Sequence, residues 1–172
     1  EALGRKAPDK HEADPKTEHQ TVSGNGEPIL PLSAMRKRES RFRMIADNTP
    51  AAITVTDLNT SQMRYANPRL ALLFEAPVEL EKQIRALDYN QINILDYYVD
   101  PGERNRFLLQ LQEKGYVNDF VTRLKKHSGR IFWASITSHI ALFENRPAIH
   151  SVFRDITEEK KREDHLLKSE RQ

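Results

Sequence analysis

Phe153-Arg154-Asp155-Ile156-Thr157-Glu158-Glu159-Lys160 is the stretch on which the reading of this chain turns. Ahead of it, Ala148 to Phe153 is apolar and strand-like; behind it the chain is charged and helix-like. Asp155 and Thr157 carry short oxygen side chains that can accept from the first free N–H groups of a helix. Glu158 and Glu159 put negative charge where the helix dipole favours it. The pattern predicts a strand that stops at Asp155 and a helix that leaves from there. Asp155 either caps that helix or pairs with a base such as Arg130. Either bond ties the last strand to the departing helix.

Working outward, three strands are expected to close the domain. Val117 to Leu124 is the first, and the polar Lys125–Arg130 turn follows, with Gly129 where positive φ costs least. In the second, Ile131 to Leu142, the residues Phe132, Ala134, Ile136, Ser138 and Ile140 share one face, and Trp133, Ser135, Thr137 and His139 the other. Asn145 suits a left-handed turn position, and Arg146 to Phe153 is the last strand. Towards the N-terminus, Ile53-Thr54-Val55-Thr56 alternates as a half-buried strand, and Met63 to Ala66 returns beside it. Asn67-Pro68 starts a helix as N-cap and first residue, with Leu70, Leu73 and Phe74 as its apolar face. Glu79 to Leu87 reads as helical, and Ile92, Ile94 and Leu95 as buried. Asp100-Pro101-Gly102-Glu103 is an Asp variant of the capping box; Phe107, Leu108 and Leu111 follow as a buried stripe, and Gly115 ends the helix.

Order is expected from Ser33, which can cap a helix carrying Met35, Phe42, Ile45 and Ala46 at helical spacing. That helix lies on the domain surface, or it also pairs with its copy in a dimer. Residues 1–32 read as a flexible linker, interrupted by Pro8, Pro15, Pro28 and Pro31, with at most a loose contact by Ile29 and Leu30. Residues 33–157 form the domain, and 158–172 begin an outgoing helix. Strands grouped at both ends with helices between them give an α+β fold with an antiparallel five-stranded sheet.

The chain has 172 residues, a net charge of +2 and no cysteine. So small a charge gives no argument for nucleic acid or an anionic membrane surface. Without cysteine there are no disulfides and no thiolate metal sites, which fits a reducing, cytoplasmic compartment. No apolar run reaches the ~20 residues of a membrane span, and the N-terminus is not a signal peptide. It also lacks an initiator Met, so we expect a segment of a longer protein.

These residues together resemble a PAS domain over about residues 40 to 160. Phe42 to Pro50 resembles the family's opening segment, Ile53-Thr54-Val55-Thr56-Asp57 its first strand, and Tyr65-Ala66-Asn67 the Tyr-x-Asn of its first internal helix. Asp100-Pro101-Gly102-Glu103-Arg104 is similar to the start of its long helix. Ser128-Gly129-Arg130 with Trp133 is similar to its late hairpin, Ser replacing the usual Asp, and Asp155-Ile156-Thr157-Glu158 resembles its closing signature. The resemblance implies a sensory and dimerisation module, itself not an enzyme, whose C-terminal helix drives an output domain such as a histidine kinase or diguanylate cyclase. The alternative is a ligand-silent interaction scaffold. Flavin and p-coumarate photosensors of this family need a reactive Cys, which is absent; its oxygen-sensing haem members use a His on the long helix, and residues 101–114 have none. The cofactor therefore stays unknown.

Ile53, Val55, Phe74, Phe120 and Ile136 are the pocket candidates, expected between sheet and helices, where they line a small-molecule cavity or fill a core. Asp155, Ile156, Thr157, Arg130 and Trp133 are the transmission candidates. Trp133 is expected on the opposite face, covered by the N-terminal helix or a partner subunit. The expected partners are a second copy, through that helix and the sheet face, the output domain, and a small-molecule ligand. His139 and His150 fall on consecutive strands, but two histidines make a poor metal site and are expected to face solvent.

Overall fold

The structure is a computed structural model that describes residues 32–89 and 91–170. The predicted linker lies outside the described residues apart from Leu32, and so do Ile29 and Leu30. The chain divides into residues 1–36, of which only the opening of the first helix is described, and residues 37–172, treated below.

Helix α1 (Leu32–Asn48) precedes the strands β1 (Ala52–Asp57) and β2 (Met63–Ala66). Helices α2 (Pro68–Leu73) and α3 (Val78–Arg85), a 3₁₀ turn (Ile94–Tyr97) and α4 (Pro101–Lys114) follow. Strands β3 (Tyr116–Lys125), β4 (Ile131–Phe143) and β5 (Arg146–Asp155) lead into α5 (Thr157–Ser169). The five strands form one antiparallel sheet in the order β2-β1-β5-β4-β3. The α+β expectation holds, and the early pair joins the late meander through β1 and β5. No helix among the described residues is long and apolar enough to cross a membrane.

The local signals act where the residue chemistry places them. Asn67 Oδ1 accepts from the Leu70 amide at the start of α2, and Asp100 Oδ1 from the Gly102 amide at the start of α4. Glu103, expected to complete the box, pairs with Arg106 at 2.6 Å. Gly115 ends α4 at φ 79°, and the turn residues Gly129 and Asn145 sit at φ 85° and 59°. Ile92 and Ile94 are buried as expected, whereas Leu95 is exposed.

The two faces of the sheet are covered differently. Phe132, Ala134 and Ile136 face inward with Phe153, against α2 and α4: Phe74 packs on Phe132 and Phe153, and Phe107 on Phe120 at 5.4 Å between centroids. On the outer face, Phe42 of α1 meets Tyr65, Phe143 and His150 edge-on. Strand β1 is therefore covered on both sides. Ile53 pairs with Val152 and Val55 with His150, which places both on the outer face, while Thr54 and Thr56 are buried on the inner one. The expectation that Ile53 and Val55 point between sheet and helices is thus corrected. Alternation separates two faces, but only the register with β5 says which face meets which layer.

His150 stacks on His139 at 5.3 Å and lies partly buried under Phe42, so only His139 faces solvent as expected. Burial, and then the neighbouring His139, hold its pKa below the ordinary 6.5. Above that pH the imidazole is neutral in the folded and unfolded chain alike. Below it the unfolded chain takes up a proton that the folded protein resists, so stability falls until the folded group titrates. The urea midpoint is expected to drop as pH falls from about 7 to about 5.5, and His150→Gln to flatten that slope. An unchanged slope in the variant would assign the effect to other groups.

Candidate functional site

The junction of β5 and α5 is built from three bonded pairs. The Ile156 amide donates to the Trp133 carbonyl at 2.9 Å. The Trp133 amide donates to Thr157 Oγ1 at 3.0 Å, and the Thr157 amide to Asp155 Oδ1 at 3.0 Å. Asp155 thus accepts from the first helical N–H, as one of its two readings expected, but from one residue ahead of the N-cap position, which Ile156 holds. Thr157 does not cap; its hydroxyl reaches sideways to β4. The backbone of Trp133 consequently holds both residues on which α5 begins, and Ile156 is buried beside it. These short bonds make the turn a fixed joint between sheet and helix.

The other reading of Asp155, a pair with Arg130, is corrected. Arg130 pairs with Glu75, which follows α2, and the Ser128 hydroxyl donates to the same carboxylate at 2.7 Å. The Ser128 hydroxyl and the Arg130 guanidinium hold Glu75 below the usual carboxylate range. Lys126, not Arg130, faces Asp155, at 3.7 Å, and it also lies 3.5 Å from Glu75. The β3–β4 hairpin therefore links the end of α2 to the start of α5. Sequence reasoning missed Glu75 and Lys126. Glu75 stands in a left-handed turn at φ 51°, and no local pattern announces that a carboxylate there will meet a hairpin more than fifty residues on.

Trp133 stands on the outer face, as expected, but α1 seats elsewhere, over Tyr65, Phe143 and His150. What lies over the indole is the Arg123 guanidinium, 5.9 Å from the ring, and Trp133 stays 38% exposed.

A cleft of about 550 Å³ opens between α3, the 3₁₀ turn and the β3–β4 hairpin, lined by Leu80, Gln83, Ile92, Tyr97, Lys126 and His127 among others. Its size is that of a small-molecule site. The Tyr97 hydroxyl meets His127 Nε2 at 3.1 Å. Burial pushes the Tyr97 hydroxyl up to about 12 and the His127 imidazole down, so both favour their neutral forms. Lys126 belongs both to this wall and to the contact with Asp155. None of the five pocket candidates lines the cleft. Phe74, Phe120 and Ile136 lie in the filled interior on the inner face, and Ile53 and Val55 on the other side of the sheet. Their aromatic and branched side chains signalled burial, which is a weaker property than lining an opening.

Comparison with known proteins bears on this architecture. The family model of the PAS domain matches residues 40–110. A PAS domain from a two-component sensor histidine kinase superposes with a TM-score of 0.55 at 20% identity, covering 70% of this chain and 98% of that one. An RNA-binding light-oxygen-voltage receptor superposes with a TM-score of 0.59 at 20% identity, covering 92% of this chain and 41% of that one. The PAS domain, in complex with ethanol, of a LuxR-family transcriptional regulator from Burkholderia thailandensis gives a TM-score of 0.50 at 18% identity, covering 67% and 96%. No curated protein matches the sequence. At these identities the superpositions speak for the fold. Residues 40–110 match the PAS domain, and the five-stranded antiparallel sheet with its short helices and N-terminal helix is the PAS fold.

Proposed function

We propose that this chain is the sensory and dimerisation module of a signalling protein, and that the state of its cleft, or of a bound partner, reaches an output domain through α5. The observation that carries this reading is Lys126, which stands in the cleft wall and beside the Asp155 cap of α5. A molecule that displaces Lys126 changes the charge facing that cap, and the Trp133 bonds pass the change to the first turn of the helix. On this reading residues 33–157 are the sensor and 158–172 the start of the outgoing helix. The output is a histidine kinase or a cyclic-nucleotide enzyme such as a diguanylate cyclase, and the module works in the cytoplasm. A second copy covers the outer face, where Met44 and Ile45 of α1 and Trp133 and Val152 of the sheet are exposed. The likeness to a PAS domain of a sensor histidine kinase is consistent with this role, and the ethanol complex of the LuxR-family regulator with a small ligand.

The test is hydrogen exchange on the whole chain. Asp155→Ala is expected to cost about 1 kcal/mol in urea unfolding, the size of a lost cap. It is also expected to speed amide exchange over the first turn of α5 disproportionately, because the cap is local. The Lys126 contact adds little to the stability, being partly solvated. Exchange in α5 that stays at the wild-type rate would remove the proposed route.

A second reading, a scaffold that binds no ligand, draws on the filled inner face, where Phe74, Phe132 and Phe153 close on one another. Denaturing the purified chain and weighing what is released separates the two. A near-stoichiometric small molecule supports sensing; none favours the scaffold.

A further inference from the structure

On the outer face of the sheet, His139 of β4 and His150 of β5 stand opposite one another, and their rings stack 5.3 Å apart at 18°. Phe42 of α1 and Phe143 at the end of β4 close edge-on over His150, at 5.8 and 6.1 Å between centroids. The Nε2 atom of His150 is buried and has no hydrogen-bond partner. A neutral imidazole tolerates that, but the charged ring carries an N–H on both nitrogens. Protonation therefore puts a donor where nothing accepts it and bulk water does not reach. The surrounding charges add to the cost. Arg64 of β2 and Arg43 of α1 already lie 5.1 and 5.9 Å from the Phe143 ring. Burial, His139 and Arg64 oppose a positive charge on His150, against a bond to the Leu142 backbone that favours one. The acids facing this seam are engaged: Glu39 of α1 by Arg43, Glu144 of the β4–β5 turn by Arg64 and Arg43, and Asp47 of α1 by the Tyr65 hydroxyl. On the far flanks the register places Val55 of β1 beside His150 and Tyr116 of β3 beside His139.

We propose that α1 is a proton-operated latch, seated on the outer face while His150 is neutral and released from it when His150 is protonated. Of the two covers over His150, α1 is the one that can leave with the sheet intact. It shares no strand ladder, and Ala46 is its one buried residue. Residues 37–48 are held by Phe42, by Arg43 against Glu144 at 3.6 Å, by the Tyr65 hydroxyl on Asp47 at 2.5 Å and by the Asn67 amide on the Ala46 carbonyl at 2.9 Å. Lifting them returns His150 to water, where it takes a proton as an ordinary histidine does. Below the ordinary 6.5 the released state binds the proton that the seated state resists, so acid favours release. Burial pushes the Glu39 carboxyl up, but its bonds to Arg43 and Glu144 outweigh burial and keep it below the ordinary carboxylate range, so it stays ionised in this window. The latch gives the module a second input, pH. It draws on none of the residues of the cleft near Lys126, so either reading can fail without the other.

Hydrogen exchange on the 172-residue chain tests it, read as protection factors so that the intrinsic pH dependence of exchange is removed. Between about pH 7.5 and about pH 5.5 the protection of the α1 amides is expected to fall roughly five- to tenfold, because uptake of one proton changes an opening constant by at most about tenfold per pH unit. The fall should be the same in dilute urea, since a local opening exposes little surface, whereas β4 and β5 amides should exchange more slowly at each pH and respond to urea. His150→Gln, neutral throughout, should flatten the α1 profile. Protection of α1 that does not change with pH, that equals that of β4 and β5 at each pH, or that keeps its full pH dependence in His150→Gln overturns the proposal. Should His150→Gln fail to fold, an NMR titration of the His150 ring in the unaltered chain decides. A midpoint below the ordinary 6.5 supports the latch, and one at or above it overturns it.

Discussion

Asn67→Ala is expected to destabilise the fold by roughly 2–4 kcal/mol, a few times the ~1 kcal/mol of an ordinary N-cap. Asn67 is 0% exposed, and its amide makes four bonds. Oδ1 accepts from Ile53 N at 2.9 Å and from Leu70 N at 3.1 Å. Nδ2 donates to the Ala46 carbonyl at 2.9 Å and to the Ala51 carbonyl at 2.7 Å. One side chain thereby joins the end of α1, the start of β1 and the first turn of α2. Truncation takes the side-chain partner from the Ile53 amide and the Ala51 carbonyl, both partly buried, whereas the Leu70 amide keeps the Asn67 carbonyl at 3.0 Å and the Ala46 carbonyl keeps the Thr49 amide at 3.3 Å. Each group left without a partner costs about 1–3 kcal/mol before relaxation and water entry recover some of it. Asn67→Asp keeps the acceptor but sets an oxygen against two carbonyl oxygens, so it should recover little. Urea unfolding checks both. A loss near 1 kcal/mol for Asn67→Ala would reduce the residue to a simple cap.

Phe107→Ala is expected to cost about 3–5 kcal/mol, the range for deleting a buried aromatic ring. Phe107 is 0% exposed and packs edge-on against Phe120, with Arg104 on its face. Removing the ring leaves a cavity between α4 and β3 that two fixed elements cannot close. Leu109, on the same helix but 67% exposed, is the control, and its truncation should stay within about 0.5 kcal/mol. The pair separates packing from helix propensity, because both changes gain the same good helix former. Similar losses in the two variants would mean that α4 does not carry the inner face of the core.

Much of the architecture can be read locally. The caps Asn67 and Asp100, the stop at Gly115, the turns at Gly129 and Asn145 and the strand-to-helix switch at Asp155 each depend on a few neighbouring residues. Asn67 shows the limit of such reading. Its role at the start of α2 is visible in Asn67-Pro68, but its bonds to Ala46, Ala51 and Ile53 are not, and those make it the expected weak point. The candidate site was half legible. Asp155, Ile156, Thr157 and Trp133 do meet at the junction, while Glu75 and Lys126 enter it from turns whose positions depend on the whole sheet.

The residues alone determined the order of strands and helices and the places where they start and stop, because dihedral preferences, capping oxygens and side-chain periodicity act within a few positions of the chain. Tertiary structure alone decided that Ile53 and Val55 face α1's side of the sheet, that Glu75 and not Asp155 takes Arg130, and that Arg104 is buried without an acid. Those outcomes depend on the pairing of β1 with β5 and on the seating of α4, contacts between segments far apart in the chain. A strand pattern is the same whichever way it faces, and a charged side chain is the same whether or not the fold brings it a partner.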